Sequence, residues 1–275
     1  MQSVFQQYGN WSWLLVLLVH FVRYTLIAGI AFFVWYVWKR PERMPRKIQP
    51  RLPKLSDYGR EVLYSFGTAV VFMLVTLLIY QTGFKKYTLG YRNWSDYGTA
   101  YGIFSFVALV FFHDAYFYWT HRAMHHPKLF KIMHLVHHKS TNPSPWAAYA
   151  FHPLEAIVEA GVIPLAILFI PLHIYTIMAF LLFMIVYNVY GHLGWELFPA
   201  HSNRHPVLRW FNTSVSHNQH HQFFTGNYGL YFRFWDEWMH TTRADYDRQF
   251  DRITEKNIGY STNAGNQNTA SPIQR

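Results

Sequence analysis

The sequence predicts an all-α integral membrane protein, a helical bundle carrying a histidine-rich helical cap. Three observations carry that prediction. Apolar residues make up 51% of the 275 and charged residues only 14%, against roughly 25% charged in a soluble domain, so much of the surface faces lipid. Several apolar runs reach the ~20 residues that a membrane helix needs, and charged connectors separate them. Many of the histidines fall three and four positions apart, the spacing of one helix face, and no strand-like alternation of useful length interrupts them.

Taken in order, residues 1–10 carry no charge and 11–38 are apolar apart from His20 and Arg23, too long and too aromatic for a signal peptide. Residues 39–60 hold eight Lys or Arg, two acids and four prolines, a poor helix and a good cytoplasmic loop under the positive-inside rule. A second span is expected over about 62–80 and a third over about 101–119, leading into the first histidines. Three crossings from an outside N-terminus bring those histidines to the cytoplasmic face. The apolar runs 154–170 and 172–190, split at Pro171-Leu172-His173, predict a hairpin that dips into the bilayer and returns to the same side. The division expected is 1–100 for N-terminal membrane helices and basic loop, 101–250 for the histidine-bearing domain, and 251–275 for a polar tail too poor in apolar residues to order itself.

Composition also removes function classes. The net charge of +10 raises the possibility of nucleic acid, but the basic residues concentrate between apolar spans, which argues against it. With no cysteine there are no disulfides, iron–sulfur clusters or thiolate zinc sites, and histidine and carboxylate are the strong ligands left.

On a helix, His121 with His125, and His134 with His137 or His138, converge on one point. The sequence His217-Asn218-Gln219-His220-His221 repeats the H-x-x-H-H spacing of His134, His137 and His138. In that pattern the last two histidines diverge by ~100° around the axis, so the pair can serve two metals side by side. With His126 these elements offer nine imidazoles, more than one metal can use. A neutral imidazole gains little by crowding others unless a cation draws them together. His192, with Glu196 one turn on, and His152, after an aromatic run at the membrane surface, extend the candidate ligand set. Glu196 is expected as a carboxylate ligand or as an acceptor behind one. His113 lies off the face of His121 and reads as structural, as do His20, His173, His201 and His205. Imidazole suits zinc, copper, iron and nickel alike. The zinc-protease motif H-E-x-x-H is absent, only Glu237 and His240 fit the E-x-x-H of ferritin-like sites, and nine ligands exceed a zinc site. A two-iron, histidine-rich centre with open positions for oxygen is the reading left standing.

The segments His121-Arg122-Ala123-Met124-His125-His126, His134-Leu135-Val136-His137-His138 and His217-Asn218-Gln219-His220-His221 resemble the three histidine boxes of the fatty acid hydroxylase and sterol desaturase superfamily of membrane di-iron enzymes. Asn142-Pro143-Ser144-Pro145-Trp146, Phe151-His152-Pro153-Leu154-Glu155, Asn227-Tyr228-Gly229 and Trp235-Asp236 resemble linking segments of its sterol C5-desaturase branch. The likeness covers about 100–242 in the same order. Two positions depart from it. His240-Thr241 stands where many relatives carry Gly-Thr, so His240 is an extra ligand or a neutral replacement. Glu196 stands where some relatives place a further imidazole.

The resemblance implies two iron ions, molecular oxygen as co-substrate, and hydroxylation or desaturation of a sterol-like or fatty-acyl lipid taken laterally from the bilayer. It also implies electrons from a separate donor protein, because no G-x-G-x-x-G stretch or haem domain is evident. Arg122, Lys128, Lys131 and Lys139 could dock that donor or face solvent and lipid headgroups. Asp114, seven residues before His121 and on its face, is a candidate acceptor orienting that imidazole. The competing readings are a membrane metal-binding or metal-transport protein, and a membrane zinc hydrolase. A transporter would place ligands at mid-membrane, whereas these clusters lie just outside the spans.

Overall fold

A computed structural model describes residues 11–38 and 40–255. The expected tail lies outside the described residues except for 251–255, which belong to a helix over 246–255 with Phe250 and Ile253 buried. Among the described residues there is no strand, only three isolated bridges.

Helix α1, Ser12–Phe32, continues as a π turn to Val37. It is apolar all round, leaving Leu18, Leu26 and Ile30 exposed as lipid-facing residues while Tyr24 and Ala28 are buried. Helix α2, Leu55–Gln81, begins earlier than its apolar run because its first turns are polar and find partners elsewhere in the protein. The Ser144 hydroxyl donates to Glu61, and Arg60 Nη2 donates to Ser140 Oγ at 3.2 Å. Helix α3, Gly98–Met124, carries His121 in its last turn. Helix α4 covers 127–138, with a π turn over Phe130–His134 inside it.

The expected hairpin is present, with unequal legs. Its first leg is split into α5, Pro153–Ala160, and α6, Val162–Ala166, around Gly161. There the Tyr116 hydroxyl donates to Val158 O at 2.7 Å and sits 2.9 Å from where a Cβ would lie. The second leg, α7, Ile174–Gly191, is continuous. Among the described residues, four helices are long and apolar enough to cross a membrane, over 12–37, 55–79, 98–124 and 174–191. Helix α8, Ser214–Phe223, bears the third histidine group, and α9, Phe234–Trp238, packs on α3 through Tyr118 and Trp235.

The histidine-bearing parts of α3, α4, α7 and α8 meet at one end of the bundle. The α1 terminus reaches it through Tyr36, whose hydroxyl bonds Leu193 O at 3.1 Å, and the hairpin leaves it at Glu155 and returns at His192. The hairpin tip is at the opposite end, where His173 Nε2 donates to Arg92 O, just before α3 begins. Beneath the histidines, Tyr24, Phe72, Tyr149, Phe151, Ala156 and Ile185 form a core that joins the N-terminal helices to the histidine-bearing part.

Candidate metal centre

Nine histidines meet where α3, α4, α7 and α8 end, and they sort into two groups. His121, His125, His134, His138 and His220 form the first, and His137, His192, His217 and His221 the second, with donor atoms in each within 4.8 Å of one another. Local geometry explains the sorting. Neighbouring helical residues point ~100° apart, so His137 and His138 go to different groups, as do His220 and His221. The π turn shifts the phase of α4 by one residue, and His134, His137 and His138 are all buried.

Backbone carbonyls and one carboxylate fix the ring orientations. The Nδ1–H of His121 donates to Tyr228 O at 2.9 Å, that of His192 to Asn188 O at 2.7 Å, that of His220 to Gly226 O at 2.8 Å and that of His221 to Ser140 O at 3.0 Å. His134 Nδ1 pairs with Glu155 Oε1 at 2.7 Å. With the proton on Nδ1, each of these rings presents a bare Nε2 lone pair. In the first group His121 Nε2 faces His134 Nε2 at 3.0 Å, and in the second His221 Nε2 faces His192 Nε2 at 3.2 Å. Two acceptors at that distance repel unless a cation lies between them. Metal–imidazole bonds of about 2.0–2.1 Å at right angles set neighbouring nitrogens about 3 Å apart, and the Nε2 contacts run from 3.0 to 3.3 Å. The donor set therefore fits a metal in each group. Burial first, and neighbouring imidazoles second, hold His134, His137, His138, His217, His220 and His221 well below the ordinary histidine pKa. Burial lowers His192 to about 4. These imidazoles are neutral at pH 7, the form a metal requires.

Four sequence expectations meet a different arrangement. His126 is exposed and His152 half-buried, and neither joins a group. Each precedes a proline and caps a helix: His126 Nδ1 accepts from Lys128 N at 3.3 Å and His152 Nδ1 from Leu154 N at 3.3 Å. Asp114 does not orient His121; its Oδ1 accepts from Tyr231 N at 2.8 Å and Phe232 N at 3.1 Å. Glu196 is neither a ligand nor an acceptor behind one. Its carboxylate takes the hydroxyl of Tyr190 and the N–H groups of Leu197, Phe198 and Val215, pinning the first turn of α8, and burial raises its pKa. His113 is buried against Tyr231, bonding its hydroxyl at 2.9 Å, and His240 is exposed.

Sequence reasoning missed Glu155 as the partner of His134. Its signal was available: a carboxylate in the first turn of an apolar run demands a buried partner. Tyr228 is also drawn in, its ring 5.1 Å from His125, 5.6 Å from His220 and 5.8 Å from His121.

Membrane-length helices sharing one end with two adjacent buried histidine groups define a class of all-α membrane proteins built around a histidine centre. The family model for fatty acid hydroxylase matches residues 106–241. A Delta(7)-sterol 5(6)-desaturase of Gibberella zeae is 28% identical over 221 residues, covering 80% of this chain and 65% of its own. One from Aspergillus fumigatus is 32% identical over 211 residues, covering 69% and 64%. The lathosterol oxidase of Mus musculus is 26% identical over 222 residues, covering 78% and 69%. The chain thus spans about two thirds of the length of these relatives. No solved structure matches. The chain belongs to the fatty acid hydroxylase and sterol desaturase superfamily, and its relatives include members of the sterol desaturase branch.

Proposed function

We propose that this protein oxidises a membrane lipid, sterol-like or fatty-acyl, by hydroxylation or desaturation at a histidine-held di-iron centre. Molecular oxygen is the co-substrate and a separate protein donates the electrons. The carrying observation is the pair of adjacent histidine groups in which bare Nε2 atoms face each other. His121, His125, His134, His138 and His220 would hold one iron, and His137, His192, His217 and His221 the other. When bound, the two irons supply the oxidising power, drawn from oxygen and external electrons, that an unactivated C–H bond requires. The chain's own part is to present neutral imidazoles, to fix them through carbonyls and Glu155, and to keep water from their buried faces. The names of the relatives favour a sterol-like substrate, and the basic connector between α1 and α2 favours placing the centre on the cytoplasmic face. A metal-transport reading gains no support, because both groups lie at the ends of the spans rather than within them.

Metal analysis of the purified protein and of His137→Ala and His220→Ala tests this. Two irons in the parent, fewer in each variant and loss of lipid oxidation in both are expected. One metal or none in the parent, or oxidation surviving both changes, would overturn it. Comparing lipid extracts of a deletion strain and its parent by mass spectrometry identifies the substrate.

A further inference from the structure

We infer that the outer face of α4 lies in the membrane surface and binds anionic lipid, so that the histidine centre hangs directly beneath the headgroups. Helix α4 has two faces. Inward it presents His134, His137 and His138, all buried; outward Lys128, Ile132 and Leu135 are exposed, as is Lys139 directly after its end. Lysines thus stand at both ends of this face, and Lys131 is exposed between them beside Ile132. Ile132 is 57% exposed, Leu135 36% and neighbouring Leu129 39%, more apolar surface than a helix facing only water should show.

Two further observations point to lipid as the occupant. The exposed apolar strip is continuous with the membrane part. Helix α4 starts three residues after the span α3 ends and packs against α5, whose Leu154 and Ile157 are exposed at the head of the hairpin. The charge is also of one sign: no Asp or Glu occurs from 115 to 154, while Arg122, Lys128, Lys131 and Lys139 do. Lysine is depleted in protein–protein interfaces, but beside apolar residues on an interfacial helix it extends its ammonium to lipid phosphate. Seated this way, the centre lies about one helix diameter, ~10 Å, below the lipid phosphates. Phe130, 5.3 Å from His125, 5.5 Å from His138 and 6.0 Å from Phe224, gives an entering acyl or ring system an apolar wall.

The absence of cysteine makes the test clean. Ile132→Cys and Leu135→Cys carry a nitroxide label in the full chain, in nanodiscs of phosphatidylcholine and phosphatidylserine. Collision with oxygen, which partitions into lipid, is compared with collision with a water-soluble nickel chelate. Ile157→Cys supplies the lipid reference and Arg248→Cys the water reference, and both report whether each preparation is folded. The oxygen-to-nickel ratio at 132 and 135 should approach that at 157 and exceed that at 248 several-fold. It should fall when Lys128 and Lys131 are both changed to Glu, with the value at 157 unmoved. A ratio at 132 equal to that at 248 overturns the inference, as does shielding of 132 that arises only on adding an acidic soluble protein.

Discussion

The five-histidine and four-histidine groups share α4 and α8, yet different chemistry stands behind them. The first takes His121 and His125 from α3, has the Glu155 carboxylate behind His134, and is ringed by Phe117, Phe130, Phe224 and Tyr228. One of its members, His125, is only half-buried. The second takes His192 from the end of α7 and is buried throughout; His192 and His221 rest on backbone carbonyls alone, with no carboxylate. A carboxylate behind a ligating imidazole raises its basicity, so two metals held here would be electronically unequal, the first richer in electron density and closer to the surface. Their anchors differ too. The loop 226–236, held by Asp114 and Asp236, supports the first group. Glu196 and the strap at Lys47, Ile48 and Gln49 support the second.

The largest disturbance to this contrast should come from Glu196→Ala. It strands the buried N–H of Val215, at about 1–3 kcal/mol, and takes a partner from the N–H groups of the exposed Leu197 and the half-buried Phe198, which water can replace, so a loss of about 1–3 kcal/mol is expected. Thermal unfolding in detergent measures it. Metal should leave the four-histidine group first; equal loss from both would mean that the anchors are shared.

Next is Glu155→Gln, which keeps the shape and removes the charge behind His134. Removing such a partner weakens a metal site about 10- to 100-fold. Chelator competition should therefore show one metal of two released more readily, the other unchanged. An unchanged profile would erase the electronic difference between the groups.

Lys47 tests the second anchor through pH. Its amine is 2% exposed, donates to Asn142 Oδ1 at 2.9 Å, and is lowered by burial from 10.5 to about 7. Between those values the unfolded chain keeps a proton that the folded chain has released. Stability should therefore rise with pH above 7, by about 1.4 kcal/mol per pH unit from this group, and be independent of it well below 7, where both states hold the proton. Lys47→Met removes that slope. Unfolding of parent and variant at pH 7.5 and 8.5 checks it, and parallel curves would contradict it.

How much of this could be read from the sequence follows from which forces are local. The apolar runs placed every span, because lipid exposure is written residue by residue, but missed the polar first turns of α2, whose partners Ser140 and Ser144 lie some eighty positions on. The H-x-x-H-H spacing contained the sharing of α4 and α8 between two groups, since helical angle alone decides it. The carboxylates were harder. Asp114 is a plausible helical neighbour of His121, yet its partners come from 231 and 232, and only tertiary packing gives His134 to Glu155. His126 and His152 did carry a local signal, a proline directly after the histidine. His205-Pro206 repeats it, His205 Nδ1 accepting from Val207 N and Leu208 N. In this chain a histidine before proline accepts, at Nδ1, the backbone N–H two residues on.

The smallest expected effect concerns the turn after the loop that supports the five-histidine group, tied to that loop where Asn227 N donates to Thr241 O at 2.8 Å. His240 stands where the resemblance puts glycine, and it sits at φ 54°, in the left-handed region. A side chain there costs roughly 1–2 kcal/mol, while glycine gives back roughly 0.5–1 kcal/mol in chain entropy. His240→Gly should therefore stabilise the protein by less than about 1 kcal/mol, read as a small rise in Tm. Because His240 is exposed and belongs to neither group, metal content should stay as in the parent. A variant short of one metal would make His240 a ligand and the five-histidine group six.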